Sequence, residues 1–138
     1  MMADVFSSSK RSEIMRAVHG TDTKPEMIVR RLVHALGYRY RLHVRSLPGT
    51  PDIVFPCRKS VIFVHGCFWH RHSCSDGQSM PRTRRRYWNK KFETNKMRDL
   101  KHKRQLRKTR WKILIVWECQ TKARNVNKLE ERLKKFLG

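Results

Sequence analysis

Acidic residues are scarce in this chain: 11 Asp and Glu stand against 33 Lys and Arg in 138 residues, a formal net charge of +22. Long apolar stretches are missing too. The longest, Val61–Val64 and Ile113–Trp117, fall far short of the roughly 20 residues a membrane span needs. The first 30 residues contain no unbroken apolar stretch of the secretory kind, so the cytoplasm is the expected compartment and no membrane partner is expected. Cysteine is limited to four residues, which in a reducing compartment are expected as thiols or metal ligands rather than disulfides. There is no internal repeat, low-complexity tract or long linker, and a single domain over residues 1–138 is expected.

An apolar fraction of 38%, with four Trp, six Phe and three Tyr, suffices for a core and argues against disorder. The charge is concentrated. Fifteen basic residues lie between Arg82 and Lys112 against Glu93 and Asp99 alone, a local charge of +13. Self-repulsion of that size opposes a compact chain, so a polyanion is the natural partner. A nucleic acid would bind there with counterion release. Tyr87, Trp88, Phe92 and Trp111 interleave the charges and mark a folded surface rather than a tail. A solvated face or an anionic lipid surface is the alternative, and charge does not separate DNA from RNA.

Local signals predict the elements. Ser7–Ser9 can cap a short helix over Lys10–Val18, which Gly20 ends. Thr23 and Glu26 have capping-box spacing with Pro25 in the first turn, and Met27, Ile28, Val29, Leu32, Val33 and Leu36 supply an apolar face before Gly37. Tyr38–His43 alternates like a half-exposed strand. After the turn Leu47–Pro51, Asp52–Phe55 and Ser60–His65 read as short strands, the second of them buried. Residues 66–81 form an aperiodic loop that needs a staple. Trp88 to about Lys108 is a basic helix, Ile113–Trp117 a fully buried strand, and Val126–Leu137 an amphipathic helix. Helices before, between and after short buried strands predict an α/β fold, a mixed sheet covered on both faces.

The staple is a metal candidate. Cys67, His70, His72 and Cys74 fall within eight residues, and Cys119 follows the last strand. A structural zinc takes four N/S ligands in a tetrahedron. Cys67, Cys74, Cys119 and one of the two histidines would supply them. His72, beside Cys74, is the choice that leaves His70 free. Buried thiols and surface histidines are the alternative, and Cys57 has no assigned role.

A second constellation is acidic. Asp52 opens one strand, and its neighbour ends at Val64-His65-Gly66 a dozen residues later, so pairing brings them together. A carboxylate at a strand mouth beside a basic groove suits Mg²⁺ and phosphate oxygens, and nearby histidines can move protons near neutral pH. Phosphodiester hydrolysis is the suggested chemistry. An Asp after Pro is also a common turn residue.

Pro51-Asp52, the run Val61-Ile62-Phe63-Val64-His65-Gly66-Cys67-Phe68-Trp69-His70 and Ile113-Leu114-Ile115-Val116-Trp117-Glu118-Cys119 together resemble the very short patch repair endonucleases, from about Lys10 to the C-terminus. The resemblance implies a restriction-endonuclease-like fold with a structural zinc. It also implies Mg²⁺-dependent nicking of double-stranded DNA 5′ to the mispaired thymine of a T:G mismatch left by 5-methylcytosine deamination. It makes Asp52 a direct Mg²⁺ ligand and the main-chain carbonyl of Val64, where the family usually has Thr, a second. His70 becomes the base that activates water, and His65 orients water or phosphate. Glu26, Asn95 and Asp99 would hold metal-bound waters or support the site; completion of the capping box is the alternative for Glu26, and a solvated acid on a basic helix the alternative for Asp99. Cys67, His72, Cys74 and Cys119 are the implied zinc set. A monomer in the bacterial cytoplasm, associated with the nucleoid, is expected. Coupling to a cytosine-5 methyltransferase or to mismatch-repair proteins is left open.

Phe68 and Trp69 are apolar residues in a polar loop, either core or binding surface. Pinned between metal ligands, they would project stiffly, as wedges that insert between base steps do. The family resemblance implies this use, with Trp88 as a further aromatic and Met15, from the N-terminal arm over residues 1–20, entering the opposite groove. Ordinary helix packing is the alternative for Met15. Two other functions fit the same residues: an endonuclease of this fold with another specificity, and a zinc-containing nucleic-acid-binding module without activity.

Overall fold

Thr23 sits in extended backbone and its Oγ1 accepts the Glu26 N–H at 3.3 Å, so helix α1 (Lys24–Ala35) begins where the capping spacing and Pro25 put it. Its end is equally local. Gly37 has φ +88°, and the N–H groups of Gly37 and Tyr38 return to the carbonyls of His34 and Val33 at 3.0 and 3.1 Å, the paired hydrogen bonds of a glycine stop. Val29 and Val33 are fully buried. The computed structural model describes residues 22–138. The expected helix over Lys10–Val18, the arm over residues 1–20 and the reading of Met15 lie outside the described residues.

Four strands follow: β1 (Arg41–Leu42), β2 (Ile53–Phe55), β3 (Ser60–His65) and β4 (Lys112–Trp117). They form one sheet in the order β1-β2-β3-β4, antiparallel from β1 to β3 and parallel between β3 and β4. A parallel pair requires a long crossover. Here it carries the one-turn helix α2 (Ser75–Gln78) and the long helix α3 (Arg85–Lys108). The chain closes with short 3-10 turns at Glu118–Thr121 and Ala123–Asn125, then α4 (Val126–Leu137).

Period-two alternation sends strand residues to opposite faces. On one face Ile53, Phe55, Ile62 and Val116 pack against Val29 and Val33 of α1 and Leu129, Leu133 and Leu137 of α4. On the other, Val54, Val61 and Phe63 pack against Leu106 of α3, with Trp111, Ile113 and Ile115 alongside. The mixed sheet is therefore covered on both faces, as expected. No described helix is long and apolar enough to cross a membrane.

Three expectations need correction. The strand over Tyr38–His43 shrinks to Arg41–Leu42, because only these two residues find partners on β2. The strand at Ile113–Trp117 is not fully buried: Val116 is, Lys112 is exposed and the other four are half-buried. β4 is an edge strand with β3 on one flank only. The basic helix starts at Arg85 rather than Trp88.

Candidate active site and metal centre

Pro51 is buried at the mouth of β2, and the antiparallel register Ile53↔Ile62 carries Asp52 to the end of β3. There Asp52 Oδ2 accepts the Val64 N–H at 2.7 Å. Glu26, only 1% exposed, reaches the same place from the first turn of α1. Its carboxylate does not close the capping box; it turns inward to an ion pair with Arg30 and to His43 Nε2 at 2.9 and 3.0 Å from its two oxygens. A buried carboxylate gains more from such partners than from a terminal helix N–H.

Asp52 titrates in a buried setting beside Glu26. Burial, and then the Glu26 carboxylate beside it, push Asp52 up to about 8, while the Val64 N–H and the Arg30 guanidinium pull the other way. Two oxygen-bearing acids sharing a desolvated pocket fit a hard divalent cation, which offsets the repulsion between them.

Across the pocket, the end of β3 and the following turn supply His65 and His70. Their rings stack at 3.8 Å between centroids and 7° between planes. His70 Nδ1 lies 2.5 Å from Asp99 Oδ2 on α3. Asp99 is therefore a half-buried bonded partner and not a solvated acid; burial alone would raise its pKa, but the bond from His70 and that ring's charge hold it below the usual carboxylate range. Fixing Nδ1 leaves Nε2 of His70 as the nitrogen available to a substrate proton. His65 is buried with its Nδ1 unpartnered, and burial followed by the His70 charge pushes it down to about 3, so it is neutral across the physiological range.

Asp52, Val64, Glu26, His65, His70 and Asp99 line a single cavity of about 1090 Å³, walled on the α3 side by Lys91, Arg98 and Lys103. Acids, bases and cations that sequence separation keeps apart thus face one another. Asn95, also on α3, donates from Nδ2 to the Trp69 carbonyl at 3.3 Å and accepts from Arg98 at 3.2 Å, bracing the loop.

The expected loop at 66–81 holds the second candidate centre. Sulfur and nitrogen atoms of Cys67, His72, Cys74 and Cys119 lie within 4.8 Å of one another. His72 Nδ1 is 3.8 Å from Cys67 Sγ and 3.5 Å from Cys119 Sγ, and zinc–ligand bond lengths give tetrahedral edges of about 3.5–3.8 Å. Both the donor set and its spacing fit a structural zinc. His70 stays with Asp99, outside this group. Burial first of all pushes the Cys67 thiol upward, a cost that a bound cation removes by stabilising thiolate.

Phe68 and Trp69 do not project. They are 3% and 9% exposed, and with Trp88, Phe92 and Met80 they form a second small core between the loop and α3. Phe68 meets Trp69, Trp88 and Phe92 edge-on at 5.2–5.4 Å. The stiff projection expected from the ligand spacing is corrected: aromatics that can reach a neighbouring helix bury themselves there.

Several site residues escape sequence reasoning. His43 and Arg30 grip Glu26. Glu118 Oε1 accepts the Cys67 N–H at 3.3 Å. The Trp117 ring stacks on His72 at 4.3 Å and meets His65 edge-on at 5.3 Å, forming a wall shared by the two centres. For Trp117 and Glu118 the only signal is their place beside Cys119; for Arg30 it is the i,i+4 spacing from Glu26 on α1, and for His43 there is none.

A mixed sheet flanked by helices, with Asp52 at a strand mouth, Glu26 and Asp99 facing it from the helices and a Cys/His cluster beside them, defines a restriction-endonuclease-like α/β protein. A family model described as DNA mismatch endonuclease Vsr matches residues 3–76. The chain is 46% identical over 136 residues to the type II nicking enzyme V.XorIIP of Xanthomonas oryzae, covering 99% of this chain and 98% of that protein. It is 40% identical to the type II nicking enzyme V.NmeAIP of Neisseria meningitidis, covering 99% and 95%. The DNA mismatch endonuclease Vsr of Escherichia coli is 39% identical, with 99% and 88% covered. The chain belongs to the Vsr family of DNA mismatch endonucleases.

Proposed function

We propose that this protein is an endonuclease that nicks one strand of duplex DNA 5′ to the mispaired thymine of a T:G mismatch, by Mg²⁺-dependent phosphodiester hydrolysis. The observation that carries the reading is the single cavity in which the Asp52–Glu26 pair faces the His70–Asp99 pair beneath a basic helix. The names of the relatives supply the coarser part, a nicking endonuclease acting at DNA mismatches.

The chain's own groups divide the work. Lys91, Arg98 and Lys103 draw the DNA phosphate into the cavity. His70 Nε2 takes the proton of the attacking water, and Asp99 holds the ring and stabilises the imidazolium that forms. The water oxygen bonds to phosphorus as the bond to the leaving ester oxygen breaks. His65 packs on the His70 ring and, being neutral, adds no charge that would repel that imidazolium. Asp52 and the Val64 carbonyl would hold Mg²⁺, with Glu26 engaging water bound to it. The carbonyl is a main-chain ligand, so Val in place of Thr leaves it available. Bound there, the cation supplies Lewis-acid stabilisation of the phosphate charge. Cys67, His72, Cys74 and Cys119 would hold Zn²⁺ as a cross-link between loop and β4.

Mismatch recognition falls to Phe68, Trp69 and Trp88, with Asn95 bracing Trp69 and Met15 entering from the N-terminal side. The free protein keeps these aromatics packed, yet the indole nitrogens of Trp69 and Trp88 are buried without partners, which costs about 1–3 kcal/mol each. Rotation onto DNA relieves that cost, and unstacking is easiest at a mispair. The protein works on the duplex as a monomer.

A nicking assay on end-labelled duplexes carrying T:G, other mismatches or none, with and without Mg²⁺, tests the reading. A single Mg²⁺-dependent nick confined to T:G is expected. Cleavage of another mispair or of a matched sequence would replace the specificity, and binding without cleavage would leave a nucleic-acid-binding module.

A further inference from the structure

We propose that His43 is a positioning residue of the cation site, joining its two acids into one unit. The inference rests on the reading of Asp52 and Glu26 given above.

His43 touches both acids by different routes. Its Nε2–H donates to the Glu26 carboxylate at 2.9–3.0 Å, and its backbone N–H donates to the Asp52 carbonyl at 3.1 Å. The second bond continues the β1–β2 ladder by one rung beyond Leu42↔Ile53. At that rung the backbone turns left-handed, with φ +48°, a conformation uncommon for a residue with a side chain. The turn ends the strand and leaves the imidazole against α1. A helix residue and the residue that precedes β2, 26 positions apart in sequence, are thereby held by one amino acid.

Arg30 completes the grip from the other side. Its guanidinium pairs with Glu26 and bonds Asp22 Oδ1 at 2.7 Å. Ligand atoms of Asp22, Glu26 and His43 also lie within 4.8 Å of one another, but the Arg30 cation already occupies their shared charge. These side chains therefore orient Glu26 and do not form a separate metal site. With the carboxylate gripped on both sides, its orientation toward Asp52 is fixed before any cation arrives, and outer partners of this kind set ligand orientation and affinity.

Mn²⁺ binding to the full chain, followed by electron paramagnetic resonance, tests the role without catalysis. Asn tolerates left-handed backbone but is too short to reach Glu26; Gln has the reach. His43→Asn should raise the half-saturating Mn²⁺ concentration about tenfold or more, with the protein still fully folded at the assay temperature and the cation-free duplex affinity unchanged. His43→Gln should stay near wild type. Unshifted binding in His43→Asn, a shift accompanied by lost folding or duplex affinity, or equal loss in His43→Gln would overturn the role. Failure of wild type to bind Mn²⁺, or wild-type binding by Asp52→Asn, would overturn the cation site itself and so is distinguishable.

Discussion

His70 Nδ1 and Asp99 Oδ2 lie 2.5 Å apart, joining the loop after β3 to the middle of α3. The bond selects which ring nitrogen faces the cavity and supports a positive charge on the ring. A general base contributes typically 10²–10⁴-fold. His70→Ala is therefore expected to lower single-turnover nicking by about 10²–10⁴-fold, and Asp99→Asn by a smaller factor, because the ring remains but its charge loses its partner. Undiminished turnover in His70→Ala would remove that residue from the chemistry.

Asp52→Ala is expected to stop Mg²⁺-dependent nicking while mismatch binding persists, since the basic wall and the aromatic cluster are untouched. Gel-shift affinity and nicking rate measured on one preparation decide this. Cleavage at the wild-type rate would refute the metal-ligand role.

Phe68 and Trp69 lie in a buried cluster, so their replacement by Ala has two consequences. Truncating a buried Phe or Trp typically costs about 3–5 kcal/mol of stability, read as a drop in the urea midpoint. If the pair also serves as a wedge, affinity for T:G duplex falls more than affinity for matched duplex at a temperature where the variant is still folded. Equal losses on the two duplexes would mark the pair as packing only.

Removing zinc should be felt locally. Cys74→Ser, or a chelator, is expected to abolish bound zinc and to expose amides of residues 66–81 to hydrogen exchange, with the β2–β3 pairing retained. The four donors bridge the loop to the end of β4, so no other part of the sheet depends on them. Metal analysis that finds no zinc in wild type would end the assignment.

Acid sensitivity follows from His65. The folded ring, pushed from 6.5 down to about 3 by burial, refuses the proton that the unfolded chain accepts. Stability present above pH 6.5 is therefore lost as pH falls from there toward about 3. Asp52 acts oppositely: raised to about 8, it contributes stability that is present at low pH and lost as pH rises through that value. Comparison of wild type with His65→Gln isolates the histidine. Between pH 7 and 5 wild type should lose about 1–2 kcal/mol more than the variant by urea titration; equal losses would show that the ring is solvated.

The sequence alone determined what short-range forces control. The cap at Thr23, the glycine stop at Gly37, the short apolar runs of β2 and β3 and the apolar stripe of α4 placed those elements, because a helix end or a short strand depends on residues a few positions away. The motifs at Pro51-Asp52, residues 61–70 and 113–119 carried the family, with Asp52, His65 and His70 of one candidate centre and Cys67 and Cys119 of the other. Only the tertiary structure decided how side chains were spent. Glu26 left its cap for His43 and Arg30, Asp99 turned from a surface acid into a partner of His70, and Phe68 and Trp69 packed against α3 instead of projecting. In each case at least one competing partner lies on another element, and burial makes the choice. A desolvated charge or a large aromatic ring takes the partner that excludes most water, and that partner is visible only once the chain has folded.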